Sequence, residues 1–422
     1  MSEKIVNNNH KHIKKVAVIG SGISGLTAAY LLSKDYNISV FEKNNYIGGH
    51  THTINVETDS GKYAVDTGFI VFNDRTYPNF IKLLDKLKVE KQKSNMSFSF
   101  SSRKLELEYS GDTLSSLFAQ RQNIANPNFY RLLLDIYNFN HKGKKFLKNA
   151  KNITINQFIR EHRYGSLFID AYLHPLASAI WSAPLKSIGN MPAEFILNFY
   201  LNHGLLDIIN RPQWYTVKNG SKAYIAPLTS NFKDQIHLNS KVRQINRGAN
   251  TVSINVNGEN LSFDAIVLAC HSDEALSLLS DPSELETEIL SSIPYNSNSV
   301  ILHTDTNALP RSKKAWASWN YIDTDQDKAS LTYYMNKLQN IKAPENFCVS
   351  VNNDFIEPEK IIQSFSYAHP SYEERSINAK SRHSEINGKK NTFYVGAYWG
   401  NGFHEDGVTS SISSLKELGA SL

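Results

Sequence analysis

Apolar and polar positions alternate in two rhythms along this chain, and the first appears almost at once. Residues 16–19 (VAVI) are an unbroken apolar run, as expected for a strand buried on both faces. Gly20-Ser21-Gly22-Ile23-Ser24-Gly25 follows. Leucines at 26, 31 and 32 with alanines at 28 and 29 then predict a helix over 26–34. Residues 38–42 read as a second strand, completing a β-α-β unit. Residues 54–57 and 62–65 alternate in polarity around Asp59-Ser60-Gly61, a hairpin pattern.

The helical rhythm dominates next. Residues 76–213 read as mainly helical, with helices over 79–87, 128–140 and 194–210. Strand character returns over 235–256, with a turn near Gly248, and over 263–269, ending at Cys270-His271. Aromatic-rich strands are expected over 299–304 and 328–335. A last strand over 391–396 precedes a glycine-rich turn and a helix from about Gly407. No repeat or low-complexity linker separates these regions, so two interwoven domains are expected. One is an α/β, Rossmann-like dinucleotide-binding domain from 14–75, 214–275 and 390–421. The other is a mixed α+β substrate domain from 76–213 and 276–389.

Composition narrows the picture. A chain of 422 residues, 41% of them hydrophobic, exceeds one ordinary core and suits two. A net charge of +5 at this length gives no reason to expect nucleic acid as a partner. Cys270 and Cys348 lie in unrelated contexts, outside any metal-spaced cluster, and read as reduced thiols in a cytoplasmic protein. The first twelve residues are polar and Asn-rich and lack the apolar core of a secretory signal. No run of apolar residues is long enough to span a bilayer, so contact with a membrane would be peripheral.

The glycine-rich turn carries the chemistry. In a G-x-G-x-x-G between strand and helix, the first glycine permits the tight turn and the second lets backbone approach a pyrophosphate. The third lets helix and sheet pack closely. The free N–H groups of the helix start then face the anion. Glu42, twenty-two residues after Gly20, is placed to accept from a ribose diol. NAD and FAD both satisfy this pattern. Three further features favour FAD: Gly48-Gly49-His50 beyond Glu42, Asp66-Thr67-Gly68 after the hairpin, and residues 393–396 leading into Gly407 and a helix. The dipole of that last helix would stabilise negative charge on a flavin. No second complete motif marks a dedicated NAD(P)H domain. No metal-ligand spacing, nucleophile elbow, P-loop or triad signature is present.

With these residues in view, the chain resembles the flavin-containing amine-oxidase-like superfamily. Within it, the likeness is to NAD/FAD-binding oxidoreductases related to the N-terminal domain of plant cyclopropane-fatty-acid synthases. VAVIGSGISGLTAAYLL, FEKNNYIGGHTHT and VDTGFIVFN carry it early, IWSAP, NHGLL, WYTVKNGSKAYI and WASWNY in the middle, and GAYWGNGFHEDGVTSSI at the end. The resemblance implies FAD and a hydroxylase-like pairing of FAD and substrate domains. It also implies a setting in lipid or fatty-acyl modification, with a lipid methyltransferase as a partner. The implied cofactor contacts are Gly20, Ser21, Gly22, Ile23, Ser24, Gly25, Glu42, Gly49, His50, Gly68, Gly396 and Val408, with the backbone of Val242 beside the adenine. Two positions depart from the amine-oxidase pattern: His50 stands where Arg is common, and Ala397 where an acid is common.

For catalysis the candidates are His404, whose ordinary pKa lies near neutrality, and Tyr398, with Trp399 as a second wall of the flavin. The alternatives are a turn hydrogen bond for His404 and Glu405, a helix cap for Asp406, and plain packing for Tyr398 and Trp399; His369 is either a wall of the substrate space or a structural histidine, and His271, after a buried strand, falls near the dinucleotide by geometry alone. Residues 195–209 are apolar on nearly every face and form either a core helix or one wall of an acyl tunnel. The expected function is an FAD-dependent oxidoreductase acting by hydride transfer on an apolar, lipid-like substrate. A redox-neutral flavin isomerase and a non-catalytic flavin subunit are the alternatives.

Overall fold

The computed structural model describes residues 13–181, 185–207, 209–323 and 330–422. The polar N-terminal twelve residues, three residues of the IWSAP motif, Ile208 and the start of the strand expected at 328 lie outside the described residues.

Strand β1 (Lys15–Ile19), helix α1 (Ile23–Leu32) and strand β2 (Asn37–Phe41) form the expected β-α-β unit. The two strands run parallel with Val18 opposite Val40. Ala265–Leu268 joins the other side of β1, Thr392–Tyr394 extends that side, and Ile236–His237 borders β2, giving five parallel strands. Alternation explains why β1 is apolar throughout. Val16 and Val18 point into one core with α1, while Ala17 and Ile19 point into a second core shared with Ile245, Ile254 and Leu290. Every residue of α1 except Tyr30 is buried, which its small Ala28 and Ala29 permit.

A mixed seven-stranded sheet forms the second body of β-structure. Its order is Ile361–Pro370, Tyr295–His303, Cys348–Val351, Ser330–Tyr334, Trp319–Asp323, Phe98–Ser102, Leu107–Ser110. The two segments at one end are strands inside residues 76–213, a region otherwise mainly helical, as expected. Phe98–Ser102 pairs in parallel with Trp319–Asp323, more than two hundred residues later, and so long-range a partner leaves no local signal. The longest helices of that region are α2 (Pro78–Lys86), α3 (Pro127–Phe146) and α4 (Ala193–Asn202). The last is shorter than the expected 194–210 because the chain turns at Gly204, whose φ is +68°. Ile196, Leu197 and Tyr200 of α4 lie in the core, and Phe195 is half-buried.

The final helix, α5 (His404–Ser414), starts three residues earlier than expected. Both cysteines are free thiols. Among the described residues no helix is long and apolar enough to cross a membrane.

Candidate dinucleotide and substrate site

The parallel strands all end at one edge of their sheet, and the glycine-rich turns gather there. Gly20 has φ +99° and donates its N–H to the Phe41 carbonyl at 2.9 Å, locking the turn to the end of β2. A Cβ on Gly25 would overlap the Gly20 carbonyl, so α1 can start this close only with glycine. Gly22 differs. Its φ of −69° suits any residue, and no atom lies within 4 Å of where its Cβ would stand. The fold does not require this glycine, yet it heads a ten-residue helix with no side chain to cap it. Open space before an uncapped helix start is what an anion needs.

The second glycine turn closes on the first. Gly48 donates to the Ser21 carbonyl at 2.9 Å, and a Cβ on Gly49 would lie 3.1 Å from the Gly22 Cα. Glu42 is buried beside them. Its carboxylate accepts from the Ser21 N–H at 3.0 Å, the Ser21 hydroxyl at 2.6 Å and the Asn44 N–H at 2.9 Å. Ser240 donates to the Glu42 carbonyl at 2.8 Å, which brings the strand opened by buried Val242 to the same edge. A Cβ on Gly68 would overlap the His50 carbonyl, so the hairpin end presses on the Gly48-Gly49-His50 turn.

From the far end of the chain, α5 completes the edge. A Cβ on Gly407 would lie 2.8 Å from Ile23 and Ser24 atoms, and Ser411 donates to the Ser24 carbonyl at 2.8 Å. The first turns of α1 and α5 therefore sit together. Val408 is buried in the core shared with β1, and the Gly396 N–H donates to Ser410 at 2.9 Å.

Beside this edge lies a seam of buried polar atoms without partners among the described residues: His50 Nε2, Tyr398 Oη, Trp399 Nε1, Tyr372 Oη and Trp181 Nε1. Buried donors normally find acceptors, so such a group marks a place that a ligand completes. The His50 and His369 rings lie 5.4 Å apart. Burial first, then the neighbouring histidines, pushes His50 down to about 3, and burial with His271 pushes His369 down to about 4. Both are neutral at physiological pH. Aromatic rings wall the seam: Trp181 on Phe195 at 5.3 Å, Phe195 on Tyr372 at 5.6 Å, and Phe199 on Phe403 at 5.4 Å. His271 instead stacks on Tyr295 at 4.2 Å.

One candidate needs correction. His404 is not the near-neutral acid/base its residue type suggested. Its ring stacks on Phe69 with centroids 3.5 Å apart, its Nε2 meets Thr51 Oγ1 at 3.0 Å, and burial drives its pKa far below the ordinary value. It opens α5 and wedges that helix against the Gly48-Gly49-His50 loop. Its neighbours divide the capping work. Asp406 accepts the Phe403 N–H at 2.9 Å, while Glu405 caps α2 by accepting the N–H groups of Asn79 and Phe80 at 3.1 and 2.8 Å.

Sequence reasoning missed two contributors, Tyr224 and Lys380, and the hydrogen-bond partners of a third, Asp66. Tyr224 bonds Thr51, which in turn meets His404. Asp66 accepts from Thr53, Ser221 and Gln339. Lys380 spans the seam, donating to the Gly400 carbonyl at 2.7 Å with its Nζ 4.6 Å from the Tyr372 ring centre. The NGSKAY segment held a clue to Tyr224, whereas Lys380 has no local signal.

Comparisons with known proteins agree with this architecture. The model of the family "flavin containing amine oxidoreductase" matches residues 23–346. The chain is 29% identical over 228 residues to a 1-hydroxycarotenoid 3,4-desaturase of Flavobacterium sp. (strain P99-3), covering 51% of this chain and 41% of the relative. It is 24% identical over 181 residues to protoporphyrinogen oxidase 2 of Arabidopsis thaliana, covering 42% and 34%. The matched stretches thus span less than half of these curated relatives. Among solved structures, cyclohexylamine oxidase from Brevibacterium oxydans IH-35A shares the fold with a TM-score of 0.69 at 13% identity, over 96% of this chain and 99% of that one. A fatty acid isomerase from P. acnes gives 0.66 at 16%, over 96% and 97%. With the glycine-built edge, the orphaned seam and the family match in agreement, the chain belongs to the flavin-containing amine oxidoreductase family, whose cofactor is FAD.

Proposed function

We propose that this protein is an FAD-dependent oxidoreductase that moves a hydride between flavin and an apolar, lipid-like substrate. The observation that carries the reading is the seam itself: buried, partnerless donors at the glycine edge, continuous with a wall of Trp181, Phe195, Phe199 and Phe403. The residues fit the cofactor. Gly20 to Gly25 and Gly49 would accommodate the pyrophosphate, Glu42 the ribose, Val242 the adenine side, and His50, Gly68, Gly396 and Val408 the flavin end. FAD supplies the hydride acceptor or donor.

The chain's own groups bind, orient and keep out water. The aromatic wall excludes water and sets a preference for hydrocarbon over charged substrates. Tyr398 and Trp399 offer their free donors to whatever lies in the seam. His404, buried and stacked on Phe69, holds α5 in place. Three of the named proteins support this, since a carotenoid, a porphyrinogen and a fatty acid are all largely apolar, whereas cyclohexylamine oxidase takes an amine.

The test is anaerobic mixing of the FAD-loaded protein with unsaturated fatty acids, acyl phospholipids, carotenoids and primary amines. Bleaching of the flavin bands by an apolar substrate, and not by amines, is expected. Bleaching by amines alone would overturn the substrate assignment. An altered double bond without bleaching would favour the isomerase.

A further inference from the structure

The outer face of α3 bears large apolar residues that nothing described covers. Tyr130, Leu134 and Tyr137 recur at helical spacing, and Leu134 and Tyr137 are 61% and 58% exposed. Ile124 adds to the same patch, its carbonyl accepting from the Tyr130 hydroxyl at 2.8 Å. Farther along the stripe, apolar gives way to basic: His141, Lys145 and Lys148 continue the exposed face. Ile209, 77% exposed, lies near this end, because its neighbour Asp207 pairs with Lys144 of α3 at 2.5 Å.

Charge is concentrated here to an unusual degree. Residues 113–165 hold nine Lys and Arg against two acids, a net +7, whereas the whole chain carries only +5. The rest of the molecule is therefore slightly acidic, and Lys145 and Lys148 bring part of this positive charge to the face that carries the apolar stripe. One acid in the segment, Asp135, is mostly buried and faces Arg131 at 4.0 Å. Exposed Leu and Tyr beside a Lys-rich helix end match the surface of an anionic bilayer. Apolar side chains enter the headgroup boundary there, and ammonium groups meet lipid phosphates.

We infer that the α3 face docks this protein onto an anionic lipid surface. The docking goes beyond the oxidoreductase reading and needs no turnover, so either can fail without the other.

The experiment is co-sedimentation of the full chain with vesicles of phosphatidylcholine alone and of phosphatidylcholine with phosphatidylglycerol. Binding to the anionic vesicles only, released by high salt, is expected. Lys145→Gln with Lys148→Gln and Lys151→Gln should weaken it about 100-fold. Leu134→Ser with Tyr137→Ser should weaken it about tenfold. All five side chains are exposed, so the melting temperature of each variant serves as the folding control. No binding to anionic vesicles, or binding that neither set alters, overturns the inference. So does a dimer that the Leu134 and Tyr137 changes convert to monomer, since a second copy would then own the face.

Discussion

The glycine-lined edge and the outer face of α3 use opposite materials. At the edge, backbone does the work: Gly20, Gly25, Gly49, Gly68 and Gly407 stand where a Cβ would strain the turn or crowd neighbouring atoms, and buried Glu42 is held by Ser21. On α3, the backbone is an unremarked helix, and everything distinctive is side chain, apolar at one end and basic at the other. A surface built from backbone tolerates almost no substitution and so leaves a pattern in the sequence. A surface built from exposed side chains tolerates many and leaves only a charge bias.

The comparison breaks most readily through the core that supports the edge. The Arg247 side chain is fully buried, bonded to Glu286 at 2.6 and 2.9 Å and to Asp281 at 2.9 Å, while the Tyr394 hydroxyl donates to Glu286 at 2.6 Å. Arg247→Ala leaves Glu286 buried without its counter-charge. Denaturant melts should show a loss of about 3–5 kcal/mol. Substitution of Lys145 on α3 should leave the same melts unchanged.

Acid should act through the edge and the seam as well. Burial holds His50 at about 3 and His203, His303 and His369 at about 4, and pushes His404 well down from its ordinary value too. Each folded value lies below the unfolded one, so the stability these groups give is complete above about pH 6.5 and falls as pH drops toward the folded values. Asp66, raised to about 7, and Asp406, raised to about 6, oppose this because the folded state takes up their protons first. The histidines outnumber them. Cofactor-free protein should lose about 3 kcal/mol per pH unit near pH 6, as read by urea midpoints. A midpoint that rises as pH falls would contradict the buried, neutral state of the histidines.

Two further changes sharpen the contrast at smaller scale. Glu42→Ala strands the buried Ser21 N–H and should cost about 1–3 kcal/mol in thermal melts of the cofactor-free chain. Tyr398→Phe removes a hydroxyl that has no partner among the described residues, so those melts should shift by no more than about 0.5 kcal/mol.

What could be read from sequence follows the same division. The β-α-β unit, the hairpin and the run of glycine turns were legible because each is specified within about thirty residues by local sterics. The strands at Phe98–Ser102 and Leu107–Ser110 were not, because one of them acquires its partner from Trp319–Asp323. His404 was misread for a related reason. Its residue type suggests a titrating group, but its state is set by Phe69 and Phe80, more than three hundred residues away. The early start of α5 and the short α4 show the usual weakness of boundary reading, decided by Asp406 and Gly204 in each case.

The central claim is that an anion rests at the start of α1, and Gly22 tests it most directly. Its backbone suits any residue and its Cβ position is empty, so Gly22→Val should fold and melt like the parent in the absence of cofactor. Titration of both proteins with FAD, followed by flavin fluorescence, is the measurement. The account predicts tight binding by the parent and at least about 100-fold weaker binding by Gly22→Val, as the valine fills the space before the helix amides. Equal FAD affinity in the two would contradict it.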